Sequence, residues 1–103
     1  MIRVSVLYPG GPGKKFNWDY YLDKHLVGAG QALQSFGLVR SEVDKGIGTV
    51  QPGVPAPFVA TYHMYFNNVE DFQKAMAAHG NALMTDIPNF TDIQPQIQVS
   101  EIF

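Results

Sequence analysis

Hydrophobic and polar positions alternate along residues 2–8, which predicts a β-strand at the start of the chain. A run of glycine and proline at 9–13 ends this strand. Apolar residues then recur with a helical period, with Asn17 as a suitable N-cap and Gly37 as a suitable residue just past the helix end. The pattern therefore predicts a helix over 18–36.

The buried face of this first helix is predicted from the same periodicity. If Leu22 is its centre, a rotation of about 100° per residue places five further apolar residues close to it. They are Trp18, Leu26, Ala29, Leu33 and Phe36. His25 falls at the edge of this stripe, one turn beyond Tyr21, so an imidazole is expected against the buried side.

The rest of the chain completes a mixed pattern of strands and one more helix. A polar strand, a loop with three prolines and three glycines, and an aromatic strand are expected at 38–45, 46–57 and 58–66. Asn68 then caps a helix that ends before Pro88, and a last strand covers 93–103. Helical spacing puts Phe72, Ala75, Met76, His79 and Leu83 on one stripe of that helix.

The element order β-α-β-β-α-β is that of the ferredoxin-like split βαβ fold. We predict one α+β domain over residues 1–103, with a four-stranded antiparallel sheet and both helices on one of its faces. The helix-free face is too apolar for water and too polar for a core, so we expect it to form a homodimer interface. Its predicted members are Arg3, Ser5, Leu7, Val59, Thr61, His63, Tyr65, Gln94, Gln96, Gln98 and Ser100.

Composition excludes several classes of function. A net charge of −2 with scattered lysines and arginines argues against nucleic-acid binding. The absence of cysteine excludes disulfides and thiolate chemistry. No apolar run approaches the roughly 20 residues of a membrane span, and the chain enters a strand directly without a signal peptide. A cytoplasmic location without membrane partners is the resulting expectation.

Three segments carry a family resemblance: I-R-V-S-V-L-Y-P at 2–9, F-N-W-D-Y-Y-L-D-K-H-L at 16–26, and the tail that begins D-I-P-N-F at 86–102. Together they resemble the EthD family of the dimeric α+β barrel superfamily. The resemblance implies a homodimer whose two sheets close into a barrel, and an association with bacterial degradation of ethyl tert-butyl ether. No nicotinamide or flavin fingerprint is present, and no cofactor is expected. Family members commonly carry a proline shortly after the helix histidine. This chain has no proline there and instead has two glycines, Gly28 and Gly30.

Candidate chemistry centres on histidine. His25 can act as a general acid or base toward a small hydrophobic substrate, or it can be a core residue satisfied by backbone groups. Trp18 and Tyr21 are candidates for the pocket wall. His79 either binds substrate in a cleft between the helices or fills space near a helix end. The histidine spacings match no metal motif, so no metal site is expected.

Two classes of function remain open, with a third as background. The first is a cofactor-free enzyme of catabolism that moves a proton on a hydrophobic intermediate, with cofactor-free oxygenation as a further possibility. The second is a non-catalytic accessory protein that binds a small apolar ligand for an oxygenase system. The third is a dimeric module with a vestigial pocket.

Overall fold

Four antiparallel strands form a single sheet in the computed structural model, which describes residues 1–103. Their predicted positions are confirmed, apart from the length of the last one. The strands are β1 (Ile2–Pro9), β2 (Leu38–Lys45), β3 (Phe58–Phe66) and β4 (Gln96–Glu101). Their order across the sheet is β2-β3-β1-β4, the arrangement of the ferredoxin-like fold, so the predicted α+β architecture is confirmed.

The helices lie on the face of the sheet that carries the apolar side chains of the alternating strand pattern. Val4 of β1 pairs with Met64 of β3 and Val99 of β4, which aligns the apolar side of the three strands. The first helical segment contributes Leu33 to this layer and the second contributes Ala75, both buried. A second cluster, built mainly from aromatic rings, packs at the end of the sheet near Tyr8.

The first helical segment consists of three parts: an α-helical turn at Trp18–Tyr20, a π-helical turn at Tyr21–His25 and an α-helix at Leu26–Gln34. We call the whole segment α1 and the helix Val69–Asp86 α2. A 3₁₀ turn, Ile87–Asn89, follows α2. Neither helix has the length and apolar composition needed to cross a bilayer.

Both predicted N-caps are confirmed. The Asn17 side chain accepts a hydrogen bond from the Tyr20 N–H at 3.1 Å, and the Asn68 side chain accepts one from the Asp71 N–H at 2.8 Å. Each asparagine thereby satisfies a backbone donor that has no partner inside the helix.

The prediction that Leu22 lies at the centre of the buried stripe is wrong. Leu22 is 42% exposed, and the buried residues of α1 are Tyr21, His25, Ala29 and Leu33. The cause is the π-helical turn, in which the Leu26 N–H bonds to the Tyr21 carbonyl five residues back. Such a turn rotates less per residue than an α-helix, so the buried face shifts toward Tyr21.

The last strand is shorter than predicted. It covers Gln96–Glu101 rather than 93–103. Ile93 is buried in the aromatic cluster instead of extending the strand, and Pro95 has no N–H for the ladder. Phe103 lies beyond the strand and is fully exposed.

The helix-free face carries a row of neighbouring polar side chains. Ser5 Oγ lies 2.9 Å from His63 Nδ1, and His63 Nε2 lies 3.6 Å from a carboxylate oxygen of Asp44. The Arg40 guanidinium stacks on the Tyr65 ring at 3.8 Å. His63, predicted to lie in the homodimer interface, therefore has a partner within its own chain.

Gly37 provides a test of the turn between α1 and β2. Its φ of 93° is in the left-handed region, and a Cβ there would lie 3.0 Å from Asp71 Oδ2. Gly37→Ala should lower the free energy of unfolding by about 1–2 kcal/mol. Gly30→Ala is the control, because a Cβ at helical Gly30 meets nothing within 4 Å. It should raise stability by about 0.5–1 kcal/mol.

Urea denaturation of both variants measures these changes. Equal effects of the two substitutions would contradict the assignment of the turn to the left-handed glycine.

Candidate functional site

A partly enclosed cavity of about 70 Å³ lies between the sheet and the two helices. Fourteen of its sixteen lining residues are hydrophobic. The strands contribute Val4, Val6, Tyr8, Tyr62, Met64 and Ile97, and the helical side contributes Tyr21, His25, Leu26, Ala29, Phe72, Met76, Gly80, Leu83, Met84 and Ile87. The lining contains no lysine, arginine or carboxylate, so the cavity suits an uncharged apolar ligand.

The size of the cavity can adapt. An apolar cavity of about 150 Å³ holds benzene, so a ring compound of that size fits only when the present space enlarges. Three methionines, Met64, Met76 and Met84, lie in the wall. Because methionine is unbranched and flexible, small rotations of these side chains can enlarge the space.

His25 is on the wall of this cavity and is only 9% exposed. Its Nδ1 lies 2.8 Å from Asp86 Oδ2, which joins α1 to the end of α2. His25 and Asp86 also line a shallow groove on the outer side, between the two helices. The imidazole therefore separates the groove, where Asp86 lies, from the apolar cavity.

Asp86 is the centre of a hydrogen-bond network. Its Oδ1 accepts from the Tyr20 hydroxyl at 2.6 Å and from Asn89 Nδ2 at 2.8 Å, while Oδ2 faces His25. Burial alone would raise the pKa of the Asp86 carboxyl, but the hydrogen bonds from Tyr20, Asn89 and His25 outweigh burial and hold this pKa below its usual value. The carboxylate is therefore ionised at neutral pH.

The charge on Asp86 fixes the tautomer of the neutral imidazole. An ionised carboxylate only accepts hydrogen bonds, so His25 Nδ1 must donate its proton to Asp86. Nε2 then carries a lone pair and makes no hydrogen bond within the chain. This arrangement of carboxylate and imidazole is the one that orients a histidine as a general base.

Tyr21 lies one turn before His25 and is completely buried. The two rings are nearly parallel, with centroids 5.8 Å apart and an angle of 16° between their planes. The Tyr21 hydroxyl has no hydrogen-bond partner. Burial raises the pKa of Tyr21, so the hydroxyl keeps its proton.

The structure places the other two predicted site residues outside the cavity lining. Trp18 packs edge-on against Tyr21, with centroids 5.7 Å apart, and thus contacts the cavity wall from behind. His79 is half-buried and packs edge-on against Phe36 at 5.2 Å. It shares only the outer groove with His25.

Asp86, Tyr20 and Asn89 did not emerge from the sequence as site residues. One signal was present for Asp86, the last residue of α2. A carboxylate at the negative end of a helix dipole is unfavourable unless other groups stabilise it, so its presence there calls for donors nearby. Tyr20 and Asn89 are such donors, but they become its neighbours only in the folded chain. No three histidine, aspartate or glutamate side chains converge into a metal-binding group.

The lowered pKa of Asp86 predicts an acid-dependent contribution to stability. A carboxyl whose pKa is lower in the folded than in the unfolded chain stabilises the fold above the unfolded value of about 3.9, and the contribution disappears as pH falls through the folded value. The wild type should therefore exceed Asp86→Asn in unfolding free energy at pH 5, and the difference should shrink toward pH 2.

Denaturant titrations at several pH values measure this difference. Two other carboxyl groups also have a lowered pKa: Asp92, because of the Lys15 backbone N–H, and Glu42, because of the Arg40 guanidinium. Both titrate in the wild type and in the variant, so their contributions cancel in the difference. A difference that is constant or grows on acidification would contradict the network.

Comparison with known proteins places this geometry in a family. Residues 14–94 match the EthD domain. The crystal structure of an EthD-like protein from Ralstonia eutropha JMP134 is 36% identical, with a TM-score of 0.91 over 97% of this chain and 89% of that one. An EthD family protein from Bacillus halodurans C-125 is 20% identical, with a TM-score of 0.62 over 100% and 99% of the two chains.

A more distant structure shares the fold alone. It is a dimeric ferredoxin-like protein from an uncultured marine organism, 11% identical, with a TM-score of 0.57 over 99% of this chain and 94% of that one. Curated protein sequences gave no significant match. The match to the EthD domain and the identity to the Ralstonia protein agree with the fold and with each other: this chain belongs to the EthD family.

Proposed function

We propose that the protein binds a small hydrophobic molecule in the cavity and transfers a proton on it, with His25 as the acid–base residue. The observation that carries this proposal is the pair formed by His25 and ionised Asp86, with Nε2 free of any bond within the chain. An oriented imidazole beside an apolar cavity suits isomerisation or rearrangement of an uncharged substrate.

The roles of the surrounding residues follow from their positions. Asp86 holds the tautomer and stabilises the imidazolium that forms when Nε2 takes a proton. Tyr21 contacts the substrate from the same wall, and Trp18 supports Tyr21 from behind. His79 is in the outer groove, where it can contact a part of the substrate that extends past His25.

The family name associates such proteins with ethyl tert-butyl ether degradation, and we propose a catabolic role on this basis. An accessory role is the alternative. It is favoured by the lining itself, of which fourteen of sixteen residues are hydrophobic. In that case the protein binds an apolar ligand for an oxygenase system without changing it.

A proton-transfer assay separates these functions. Unsaturated lactones whose double bond can move into conjugation are suitable probes, followed by ultraviolet absorbance. The wild type should accelerate the isomerisation, and His25→Gln should reduce the rate by about 10²–10⁴-fold. Asp86→Asn should reduce it at least about tenfold, because the required tautomer is no longer fixed.

Lys74→Gln is the control, since Lys74 is exposed on α2 away from the cavity. It should keep the wild-type rate. Binding of the probes by the wild type and by His25→Gln alike, with no turnover by either, would contradict catalysis and favour the accessory role.

We also propose that two copies associate through the helix-free sheet face. The support is the mixed character of that face, where the row formed by Ser5, His63 and Asp44 adjoins the apolar side chain of Leu7. The ferredoxin-like protein from the marine organism, which has the same fold, is dimeric.

The oligomeric state can be measured by light scattering after gel filtration. The wild type should have twice the mass of one chain. Thr61→Arg, which adds a bulky charge to the helix-free face, should give monomer, whereas Gln73→Arg on the exposed side of α2 should not. A wild-type monomer would overturn this proposal.

A further inference from the structure

The hydroxyl of Tyr21 is the one buried side-chain polar atom in the chain without a hydrogen-bond partner. Burying such a group without a partner costs free energy, and native proteins rarely leave one unpaired without a reason. Tyr21 lines the cavity, with its hydroxyl covered by the surrounding side chains. A ligand that enlarges the cavity by moving the flexible methionines of its wall can supply the missing acceptor. The unpaired hydroxyl therefore indicates which chemical group the ligand must carry.

Only certain groups on a ligand can form a hydrogen bond with the Tyr21 hydroxyl. Because burial favours its protonated form, Tyr21 offers a neutral O–H donor and the ligand must offer an acceptor. A carboxylate acceptor is disfavoured, since no lysine or arginine lines the cavity to balance a buried negative charge. The expected acceptor is therefore an uncharged oxygen atom of the ligand.

His25 adds a second condition on the same wall. Its ring lies nearly parallel to that of Tyr21, with centroids 5.8 Å apart. A molecule that contacts both side chains, each at the usual distance of about 3 Å, can place an oxygen at the Tyr21 hydroxyl and a neighbouring carbon near His25 Nε2. Ketones and lactones have this combination, because the carbon next to their carbonyl group carries an acidic C–H.

We infer that the substrate is a small uncharged carbonyl compound, a ketone or lactone, and that the Tyr21 hydroxyl holds its carbonyl oxygen while His25 removes a proton from the adjacent carbon. This inference rests on the proposed function and adds the substrate class and the role of Tyr21. Asp86 keeps its place as the positioning residue behind His25.

The step balances without any further reactant. His25 Nε2 takes the proton from the α-carbon, and the C–H electron pair forms the C=C bond of an enolate. The carbonyl π electrons move to the oxygen, where the Tyr21 O–H stabilises the developing negative charge by hydrogen bonding. Return of the proton from the imidazolium to the α-carbon gives the starting compound. In a β,γ-unsaturated substrate, the enolate is conjugated with the second double bond, and return of the proton to the γ-carbon gives the conjugated isomer.

Three probes of similar size and different polarity test the substrate class: cyclopentanone, methylenecyclopentane and cyclobutanecarboxylate. Affinities are measured by NMR titration of the labelled protein. The ketone should bind about tenfold more tightly than the hydrocarbon and the carboxylate. Tyr21→Phe, which keeps the ring, should weaken ketone binding by about tenfold and change hydrocarbon binding less than about twofold.

Tyr65→Phe is the matched control, because it removes a hydroxyl from the opposite face of the sheet. It should leave ketone affinity unchanged. The thermal unfolding midpoint of Tyr21→Phe should not be lower than that of the wild type, because the hydroxyl that is removed has no partner in the folded chain. This measurement checks that the variant is folded.

Deuterium exchange separates the inference from the function on which it rests. In D₂O the wild type should catalyse exchange of the α-hydrogens of cyclopentanone, Tyr21→Phe should slow exchange by at least about tenfold, and His25→Gln should abolish it while still binding the ketone. Ketone binding that depends on Tyr21, without exchange by the wild type, would overturn proton transfer but keep the ligand class.

The opposite pattern would overturn the inference alone. Exchange that depends on His25 but not on Tyr21, or equal losses of ketone and hydrocarbon affinity in Tyr21→Phe, would remove Tyr21 from carbonyl recognition. Failure of cyclopentanone to bind would overturn the assigned substrate class.

Discussion

The carboxylate of Asp86 is the interaction on which the site depends. It terminates α2 and accepts hydrogen bonds from Tyr20 and His25 of α1 and from Asn89 in the following 3₁₀ turn. Between the helices lie a cavity on the inner side and a groove on the outer side, so direct packing alone does not fix their relative position here. The carboxylate joins the two helices and orients the imidazole in one interaction.

The π-helical turn at Tyr21–His25 makes this arrangement possible. The wider turn brings the rings of Tyr21 and His25 to the buried side together and turns Leu22 toward solvent. Wide turns of this kind cost backbone energy and are often found at functional sites. In this protein the turn carries the residue with the free basic nitrogen and the residue with the unpaired hydroxyl.

The sequence was sufficient for the architecture because each element has its own local signal. Alternation defined the strands, Asn17 and Asn68 defined the helix starts, and Gly37 marked the end of α1. The site was predicted only in part. His25 and Tyr21 were found from periodicity, but a regular period cannot reveal a π-helical turn, and so the stripe was centred on the wrong residue.

Asp86 was missed for a different reason. It is distant in sequence from His25, and no local pattern indicates that the end of one helix meets the first turns of another. Ile93 and Pro95 illustrate the same limit, since the aromatic cluster that replaces the first part of the predicted last strand forms only on folding. Contacts between remote segments determine the chemistry, whereas local patterns determine the fold.

The central claim is that Asp86 holds His25 as a base with its free nitrogen at Nε2. Nitrogen-15 NMR of the imidazole reports the tautomer directly, without any ligand. In the high-pH spectrum, where the ring is neutral, the wild type should show the proton on Nδ1 and an unprotonated Nε2, and Asp86→Asn should lose this preference. A wild-type His25 with its proton on Nε2 would contradict the account.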